Sequence, residues 1–587
     1  MKRAGREPRR FVPAAPGPLS LRNTMQPFSA TVRARNLQEL EKSHFDVLVI
    51  GGGITGAGVA LDAAARGYTV ALVEKADFAG GTSSKSTKLV HGGIRYLPNF
   101  DLALVHEGLV ERGLLLQNAP FLVRPLAFIL PIYRGDRHPV GLPFTTPGGI
   151  GLSALLDMGL WMYDLMAGRH GIKRHHRLSR EDVLRQVPDL VAHRLREGFV
   201  YYDAQTNDAR LTMMLMRTAA SSGATIVNYA EVTSFLLRGG RVCGARVRDG
   251  LSGTELAVRA RHVVNATGVF SERVEELLGG TPAVQVEPSK GVHLVLSREH
   301  IRLGEAALVL PETEDRRILF LVPWGTRVLF GTTDTGSGDL EHPGASPEDV
   351  AYLLKYLNRY LALDLTEQQI ISTYAGYRPL FKPRGKTTRS TARLSRTHAV
   401  LQDSSGLVTI VGGKLTTYRR MAQDTVDLLN RRDGLRIRHP TLSLPLQGSA
   451  DWPAVRDELE QRGSRLGLSA ESIRHLAQSY GSEARAVLEL VEEDASLAQP
   501  LIADLPYIHA EIIAACRYEM AMTPVDILAR RTSIAFEDRR RGLDVVAEVA
   551  ARMAGEHGWS LDRQNALVEA YRAEVQRQMV AEGVAAL

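Results

Sequence analysis

The sequence predicts an α/β protein: a Rossmann-type nucleotide-binding domain with an antiparallel-sheet substrate domain inserted, followed by a C-terminal all-helical domain. Three observations predict it. Residues 45–74 form a strand–glycine–helix–strand unit. Strand-like and helical stretches then alternate to about residue 430. From about Pro445 most of the sequence reads as helix. Together they divide the 587 residues into a tail at 1–42, a nucleotide-binding body at 43–440 and a helical domain at 441–587.

The tail comes first. It is rich in Pro, Arg and Ala and holds nine Lys or Arg against three Glu. It thus accounts for six of the seven net positive charges, and the body is nearly neutral. No apolar stretch marks it as a secretory signal, and its composition predicts disorder. Three origins fit: an upstream start with the true start at Met25, an organelle-targeting segment, or a basic tether to a membrane surface. A basic stripe for nucleic acid is not evident, so no nucleic-acid partner is expected.

The unit FDVLVIGGGITGAGVALDAAARGYTVALVE follows, at residues 45–74. An apolar strand, Val47 to Ile50, runs into Gly51, Gly53 and Gly56 at G-x-G-x-x-G spacing. Gly51 permits the tight turn, Gly53 lets a pyrophosphate approach the backbone, and Gly56 lets the helix pack closely on the strand. The helix N-terminus turns its free N–H groups towards the phosphates. Glu74 ends the second strand, Val70 to Val73, where an acid accepts a ribose hydroxyl. An ordinary tight βα turn would explain one of these glycines, not all three with the acid.

Next comes GGTSSKSTKLVHGGIRYL, residues 80–97, dense in hydroxyls (Thr82, Ser83, Ser84, Ser86, Thr87), cations (Lys85, Lys88, Arg95) and glycines. Such a loop can wrap a phosphorylated or polar cofactor; it could equally be a solvated turn. Gly/Pro-rich breaks are expected at Pro139–Gly151 and Pro379–Gly385. Between them, Gly151 to Ala167 reads as an amphipathic helix interrupted by Asp157 and Asp164. It bears Trp161 and Tyr163 and is followed by Arg169, Lys173, Arg174 and Arg177. An interfacial helix needs those features, and a core helix before a basic loop would show them too. No run is long and apolar enough to span a bilayer.

Further strands are expected at Ala224–Tyr229, Arg241–Arg248, His262–Asn265, His293–Leu296, Ile318–Pro323, Arg327–Gly331 and Val408–Val411. Two end in glycine motifs, Asn265-Ala266-Thr267-Gly268 and Gly412-Gly413-Lys414-Leu415-Thr416-Thr417. Those lie at the carboxyl ends of strands, where ligands of open α/β sheets bind. In the helical domain, Ala510 to Met520 has a helical pattern. Thr523-Pro524-Val525-Asp526 reads as a helix start, with Thr as N-cap and Pro at the first position. Cys243 and Cys516 lie far apart and lack metal-ligand spacing. That argues against a disulfide framework or a cysteine zinc site and fits a reducing compartment.

Taken together, the ordered motifs resemble the FAD-dependent glycerol-3-phosphate dehydrogenases, related to the glycerophosphate oxidases. The matching stretches are IGGGITGAG (50–58), TSSKSTKLVHGGIRYL (82–97), NATG (265–268), KGVH (290–293), RRILFLVPW (316–324), GTTD (331–334), YAGYRPL (374–380) and GGKLTTYR (412–419). The resemblance implies FAD as cofactor. It implies oxidation of glycerol 3-phosphate at its secondary alcohol to dihydroxyacetone phosphate, with electrons passing to a membrane quinone or, in an oxidase, to oxygen with release of peroxide. It further implies a cytoplasmic protein peripherally attached to the inner face of the cell membrane, and it admits a homodimer. No metal is expected, and no EF-hand loop follows the helical domain.

The same resemblance assigns roles. Cofactor contacts fall to Gly51, Gly53, Gly56, Glu74, Thr82, Ser83, Ser84, Lys88, His91, Gly92, Gly93, Ala266, Gly268, Gly413, Lys414, Leu415 and Thr416. A substrate phosphate needs cationic partners, and Arg suits bidentate contacts; these are expected to be Arg95, Arg378 and Lys414. Tyr96, Lys290, Thr332 and Asp334 are expected to orient substrate or flavin. The alcohol proton needs a base, best supplied by histidine. His293 is expected in that role and His91 against the flavin, with Arg378 and Lys414 completing the catalytic group. His293 sits on an apolar strand, so a satisfied core histidine is the competing reading.

Overall fold

The computed structural model describes residues 25–99, 101–135, 151–310, 313–315, 317–336, 338–382 and 397–583. The break expected at Pro139–Gly151 therefore lies almost wholly outside the described residues, as do residues 1–24 of the tail.

The rest of the tail departs from expectation. Residues Ala30–Lys42 form helix α1, capped by Ser29, with Arg33, Asn36 and Leu40 buried. The cause is specific anchoring. The Arg33 guanidinium donates to Asn228 and reaches Asp249 Oδ1 at 2.5 Å, and Asn36 Nδ2 donates to the Ile226 carbonyl at 3.0 Å. Two polar side chains bound into the body outweigh a composition that otherwise favours disorder.

Strand β1 (His44–Ile50), helix α2 (Ile54–Ala65) and strand β2 (Val70–Val73) build the first unit. Then come β3 (Leu89–Val90), α3 (Leu102–Asn118), β4 (Arg124–Tyr133), α4 (Leu152–Ala167), β5 (His176–Ser179), α5 (Arg180–Gln186), β6 (Leu195–Gln205) and α6 (Asp208–Ser221). Strands β7 (Thr225–Val227), β8 (Ala230–Arg238), β9 (Arg241–Asp249) and β10 (Glu255–Asn265) lead to α7 (Ser271–Glu276) and β11 (Gln285–Ser297). The body closes with β12 (Ala307–Val309), β13 (Phe320–Trp324), β14 (Arg327–Gly331), α8 (Pro347–Tyr360), β15 (Ile370–Lys382), β16 (His398–Gln402), β17 (Val408–Gly412) and α9 (Tyr418–Arg432).

Two sheets result. The first runs β16-β17-β10-β1-β2-β7, with β8 and β9 attached beside β10; β17, β10, β1, β2 and β7 are parallel. The sheet's centre, Val47–Ile50 of β1 and all of β2, is apolar because both faces are covered, one by α2 and α9 and the other by α1 with β8 and β9. The second sheet runs β15-β11-β14-β13-β12-β4-β6-β3 and is antiparallel except where β12 meets β4. Pro379, expected in a break, instead lies inside β15 opposite Pro288. Strand β15 is the sheet's edge, where a missing N–H costs no ladder bond.

The helical domain comprises α10 (Ala454–Arg465), α11 (Ala470–Tyr480), α12 (Ala484–Glu493), α13 (Ala510–Tyr518), α14 (Pro524–Asp526), α15 (Ile534–Glu537), α16 (Val546–His557) and α17 (Leu561–Ala581). Helix α14 starts as expected, with Thr523 and Asp526 forming a reciprocal cap and Pro524 at its first position. A π-turn, Ile527–Arg531, follows and turns two arginines onto Asp77, just past β2: Arg530 Nε lies 2.6 Å and Arg531 Nη1 2.7 Å from Asp77 Oδ2. Against the upward push of burial, these guanidiniums hold the Asp77 carboxyl well below its ordinary range. The helical domain thus grips the nucleotide-binding sheet beside its first crossover. Among the described residues no helix is long and apolar enough to cross a membrane.

Candidate active site

One cavity of about 990 Å³ opens where the two sheets meet. Its polar end is built from the carboxyl ends of β1, β2, β10 and β17, where Gly51, Glu74, Ala266–Gly268 and Gly412–Thr416 line the wall. Gly51 has φ +111°, and a Cβ there would lie 2.7 Å from the Ala266 carbonyl oxygen. A Cβ on Gly56 would lie 1.9 Å from the Gly51 oxygen, so Gly56 stands behind the wall and locks α2 to the turn. Ser83 Oγ accepts from the Ile54 amide at 2.9 Å and closes the loop onto the N-terminus of α2. Glu74 accepts from the amides of Gly52 (2.5 Å) and Ala76 (2.9 Å), and burial pushes its carboxyl pKa up. Backbone amides, a helix N-terminus and a glycine floor that no side chain can cover fit a dinucleotide pyrophosphate, with the acid beside it.

Of the expected cofactor residues, Gly51, Gly53, Glu74, Thr82, Ser83, His91, Gly93, Ala266, Gly268, Gly413, Lys414, Leu415 and Thr416 line the cavity. Gly56, Ser84, Lys88 and Gly92 stand behind its wall. Lys88 is the clearest correction: it is buried, and its ammonium pairs with Asp208 at 2.6 Å. Gly92 donates its amide to Asp203 (3.0 Å), and a Cβ there would sit 2.5 Å from Leu109 and from the Tyr163 hydroxyl.

The second sheet supplies the other wall. Arg378, on β15, donates to Thr332 Oγ1 (3.3 Å), Thr333 O (3.2 Å) and Ser289 Oγ (3.3 Å), and lies 3.7 Å from Asp334. The facing residue Gly291 has no room for a Cβ, which would fall 2.6 Å from Arg378 Nη2. Lys414 holds its ammonium over the Tyr96 ring, 4.1 Å from the centroid. Arg378, Thr332, Lys414 and Tyr96 all border the cavity. The side chain of Arg95 lies outside the described residues. Lys290 is a correction: side chains alternate along β11, so Gly291 and His293 face the cavity while Lys290 turns to Asp349, 2.7 Å away.

The two histidines differ sharply. His91 is half-buried at the cavity wall, its amide donating to Thr416 Oγ1 at 3.1 Å. His293 is only 2 % exposed and stacks on Tyr374 at 4.7 Å with an 11° tilt; its Nε2 lies 2.9 Å from Thr87 Oγ1. Burial, then the cations Arg378 and Lys88, push its pKa down to about 3. A base works best with a pKa near the working pH. A pKa so low argues against His293 in the role of base expected from the sequence.

Sequence reasoning gave no individual role to three residues. Asp203, on β6, lies under the His91–Gly93 turn, where Arg112 (2.6 Å) and the Tyr163 hydroxyl (2.8 Å) hold it. The signal was an acid in phase with the buried residues of an aromatic strand. Lys85 lines the cavity against Gly376, and burial, then Arg530, pushes its pKa down to about 8. Thr87 was noted only as one hydroxyl among five. Beyond His91 and Tyr96 the cavity turns apolar, lined by Leu97, Phe128, Leu130 and the α4 residues Leu156, Leu160 and Met162.

Comparison with known proteins agrees with this geometry. A family model described as FAD dependent oxidoreductase matches residues 46–419, and one described as C-terminal domain of alpha-glycerophosphate oxidase matches residues 439–564. The chain is 38% identical over 554 residues to glycerol-3-phosphate dehydrogenase 2 of Mycobacterium tuberculosis, covering 94% of this chain and 91% of that protein. It is 38% identical over 553 residues to the mitochondrial glycerol-3-phosphate dehydrogenase of Rattus norvegicus, covering 90% of this chain and 73% of the relative. A solved glycerol-3-phosphate dehydrogenase from Bacillus halodurans, complexed with FAD, superposes with a TM-score of 0.75 at 31% identity, over 93% of this chain and 98% of that one. The cofactor of the glycine cradle is FAD.

Proposed function

This chain belongs to the FAD-dependent glycerol-3-phosphate dehydrogenase family, and on that premise we propose that it oxidises sn-glycerol 3-phosphate to dihydroxyacetone phosphate, with a membrane quinone as final acceptor. FAD, when bound, supplies the two-electron acceptor. Gly51, Gly53, the Thr82–Ser83 loop and Leu415–Thr416 would hold it, with Glu74 on the ribose.

One observation carries the reading: two cations, Arg378 and Lys414, line the same cavity as His91 and the glycine cradle. A phosphate dianion takes charge-assisted hydrogen bonds from both. Arg378 is already steered by Thr332 and Thr333, so little side-chain entropy is lost on binding. Tyr96 and Thr332 orient the polyol. His91 accepts the alcohol proton; its turn is clamped by Thr416 on one side and Asp203 on the other.

The other end of the cavity supports the quinone reading. Helix α4 exposes Met158 (63 %), Trp161 (52 %) and Leu165 (81 %), while Leu155, Leu156, Leu160 and Met162 line the apolar part of the cavity. Cations at Arg169, Lys173, Arg174 and Arg177 follow. An apolar face next to cations suits an anionic membrane surface, and an apolar passage leading inward suits a quinone. We place the protein in the cytoplasm, attached peripherally to the inner face of the membrane. The test is an assay of the pure flavoprotein with glycerol 3-phosphate in air. Slow turnover restored by a quinone analogue is expected. Rapid peroxide formation without added acceptor would instead make it an oxidase.

A further inference from the structure

Thr87 stands on the cavity wall as the half-buried middle of a rigid strut. On one side, the Ser86 amide and hydroxyl both donate to Asp208 Oδ2, at 2.9 and 2.7 Å. On the other, the Lys88 ammonium donates to Asp208 Oδ1, and the Lys88 carbonyl accepts from the Thr206 amide at 3.0 Å. A single carboxylate thus pins both neighbours of Thr87. The hydroxyl itself would rotate freely but for His293, whose Nε2 lies 2.9 Å away.

His293 is fixed in turn. Its ring stacks on Tyr374, whose hydroxyl donates to the Ser86 carbonyl at 3.1 Å and whose ring is backed by Phe536 of the helical domain at 5.3 Å. Gly331 makes room for the ring, since a Cβ there would fall 2.5 Å from His293 Cδ2. His293 Nδ1 is buried and without a hydrogen-bond partner among the described residues. Leaving a buried nitrogen unpaired costs about 1–3 kcal/mol, so the ring is held there for what its Nε2 does.

We propose that Thr87 presents its hydroxyl to the secondary alcohol of a phosphorylated three-carbon polyol, and that His293 fixes the direction of that hydroxyl. The inference rests on the substrate reading above and names the residue that recognises the reacting group. The secondary carbon of glycerol 3-phosphate is three bonds from phosphorus. Arg378, the proposed phosphate partner, donates to Thr332, which follows the Gly331 that the His293 ring packs against. The phosphate and the alcohol are thus read by neighbouring groups. A neutral His293 suits this role, because its hydrogen bond to Thr87 does not change across the working pH range.

The test uses the FAD-loaded protein and two compounds: glycerol 3-phosphate, and 3-hydroxypropyl phosphate, which lacks the secondary hydroxyl. Calorimetry gives the Kd of the second and kinetics the kcat/KM of the first, for wild type, Thr87→Val and Thr87→Ser. With Thr87→Val, kcat/KM should fall roughly 10- to 100-fold while the Kd for 3-hydroxypropyl phosphate changes less than about twofold. Thr87→Ser should stay near wild type. Unchanged kinetics in Thr87→Val, or an equal loss with both compounds, overturns the assignment. Histidine NMR adds a readout independent of turnover. The His293 ring should stay neutral between about pH 5 and 9, and Thr87→Val should move its Nε2 signal. A ring that titrates near neutrality would make His293 a base and overturn its orienting role. Wild-type protein that binds neither compound defeats the substrate reading itself, a failure visible before any variant is made.

Discussion

At Arg378 the chemistry of the site comes down to one guanidinium. Its hydrogen bonds to Thr332, Thr333 and Ser289 aim it, and the cation is what a phosphate needs. Replacing it by Ala should raise KM for glycerol 3-phosphate and lower kcat/KM by about 2–5 kcal/mol with the flavin content intact. Steady-state kinetics beside the absorbance ratio of bound flavin to protein would check this; unchanged kinetics would remove Arg378 from the site. His293 makes a prediction about stability. Its pKa is about 3 in the fold and about 6.5 in an unfolded chain. Between those values the unfolded chain binds the extra proton. The full stability is therefore present above about pH 6.5 and is lost as pH falls towards 3, by about 2 kcal/mol at pH 5. His293→Gln should flatten this part of the pH dependence. Denaturant midpoints at pH 7 and pH 5 measure it, and equal slopes in both proteins would contradict the buried, neutral ring.

Among the elements, the β1–α2 turn and helix α4 carry distinct predictions. Gly56→Ala drives a Cβ into the Gly51 carbonyl and should abolish flavin retention through gel filtration. Gly81→Ala meets nothing within 4 Å and should keep it. Equal retention in both would mean that the turn is not the phosphate cradle. Replacing Trp161 and Leu165 by Ser removes mainly exposed apolar area and leaves the cavity lining intact. It should release the protein from anionic vesicles in a flotation assay without changing turnover with a soluble acceptor. Elements of this kind were legible in the sequence because local chemistry dictates them: glycine spacing between two apolar strands, and an apolar face split by acids. Lys88 and Lys290 were misplaced because a side chain's direction depends on strand phase and on a distant partner, Asp208 or Asp349. Helix α1 was missed for the same reason, since its anchors Asn228 and Asp249 lie about two hundred residues away.

Over the whole molecule, the helical domain is part of the site's support. Asp77 next to the cradle, Tyr374 under His293 and Trp324 on the second sheet are each held by its residues: Arg530 and Arg531, Phe536, and Glu537. The sequence showed that domain as helical and capped at Thr523, but its contacts join residues some 450 positions apart, which no local pattern records. Arg531→Leu would leave Asp77 short of a partner in a fully buried setting and should cost about 3–5 kcal/mol. Flavin release and loss of far-ultraviolet helix signal should occur together on denaturation; flavin release well after helix loss would show that the cradle stands without this support. The central claim is that FAD sits beside a cationic pocket shaped for glycerol 3-phosphate. It is tested most directly by recording the visible spectrum of the purified protein before and after anaerobic addition of that compound. The account predicts a yellow protein that bleaches on addition and recovers its colour when a quinone analogue is supplied. A protein that is yellow and stays so would contradict it.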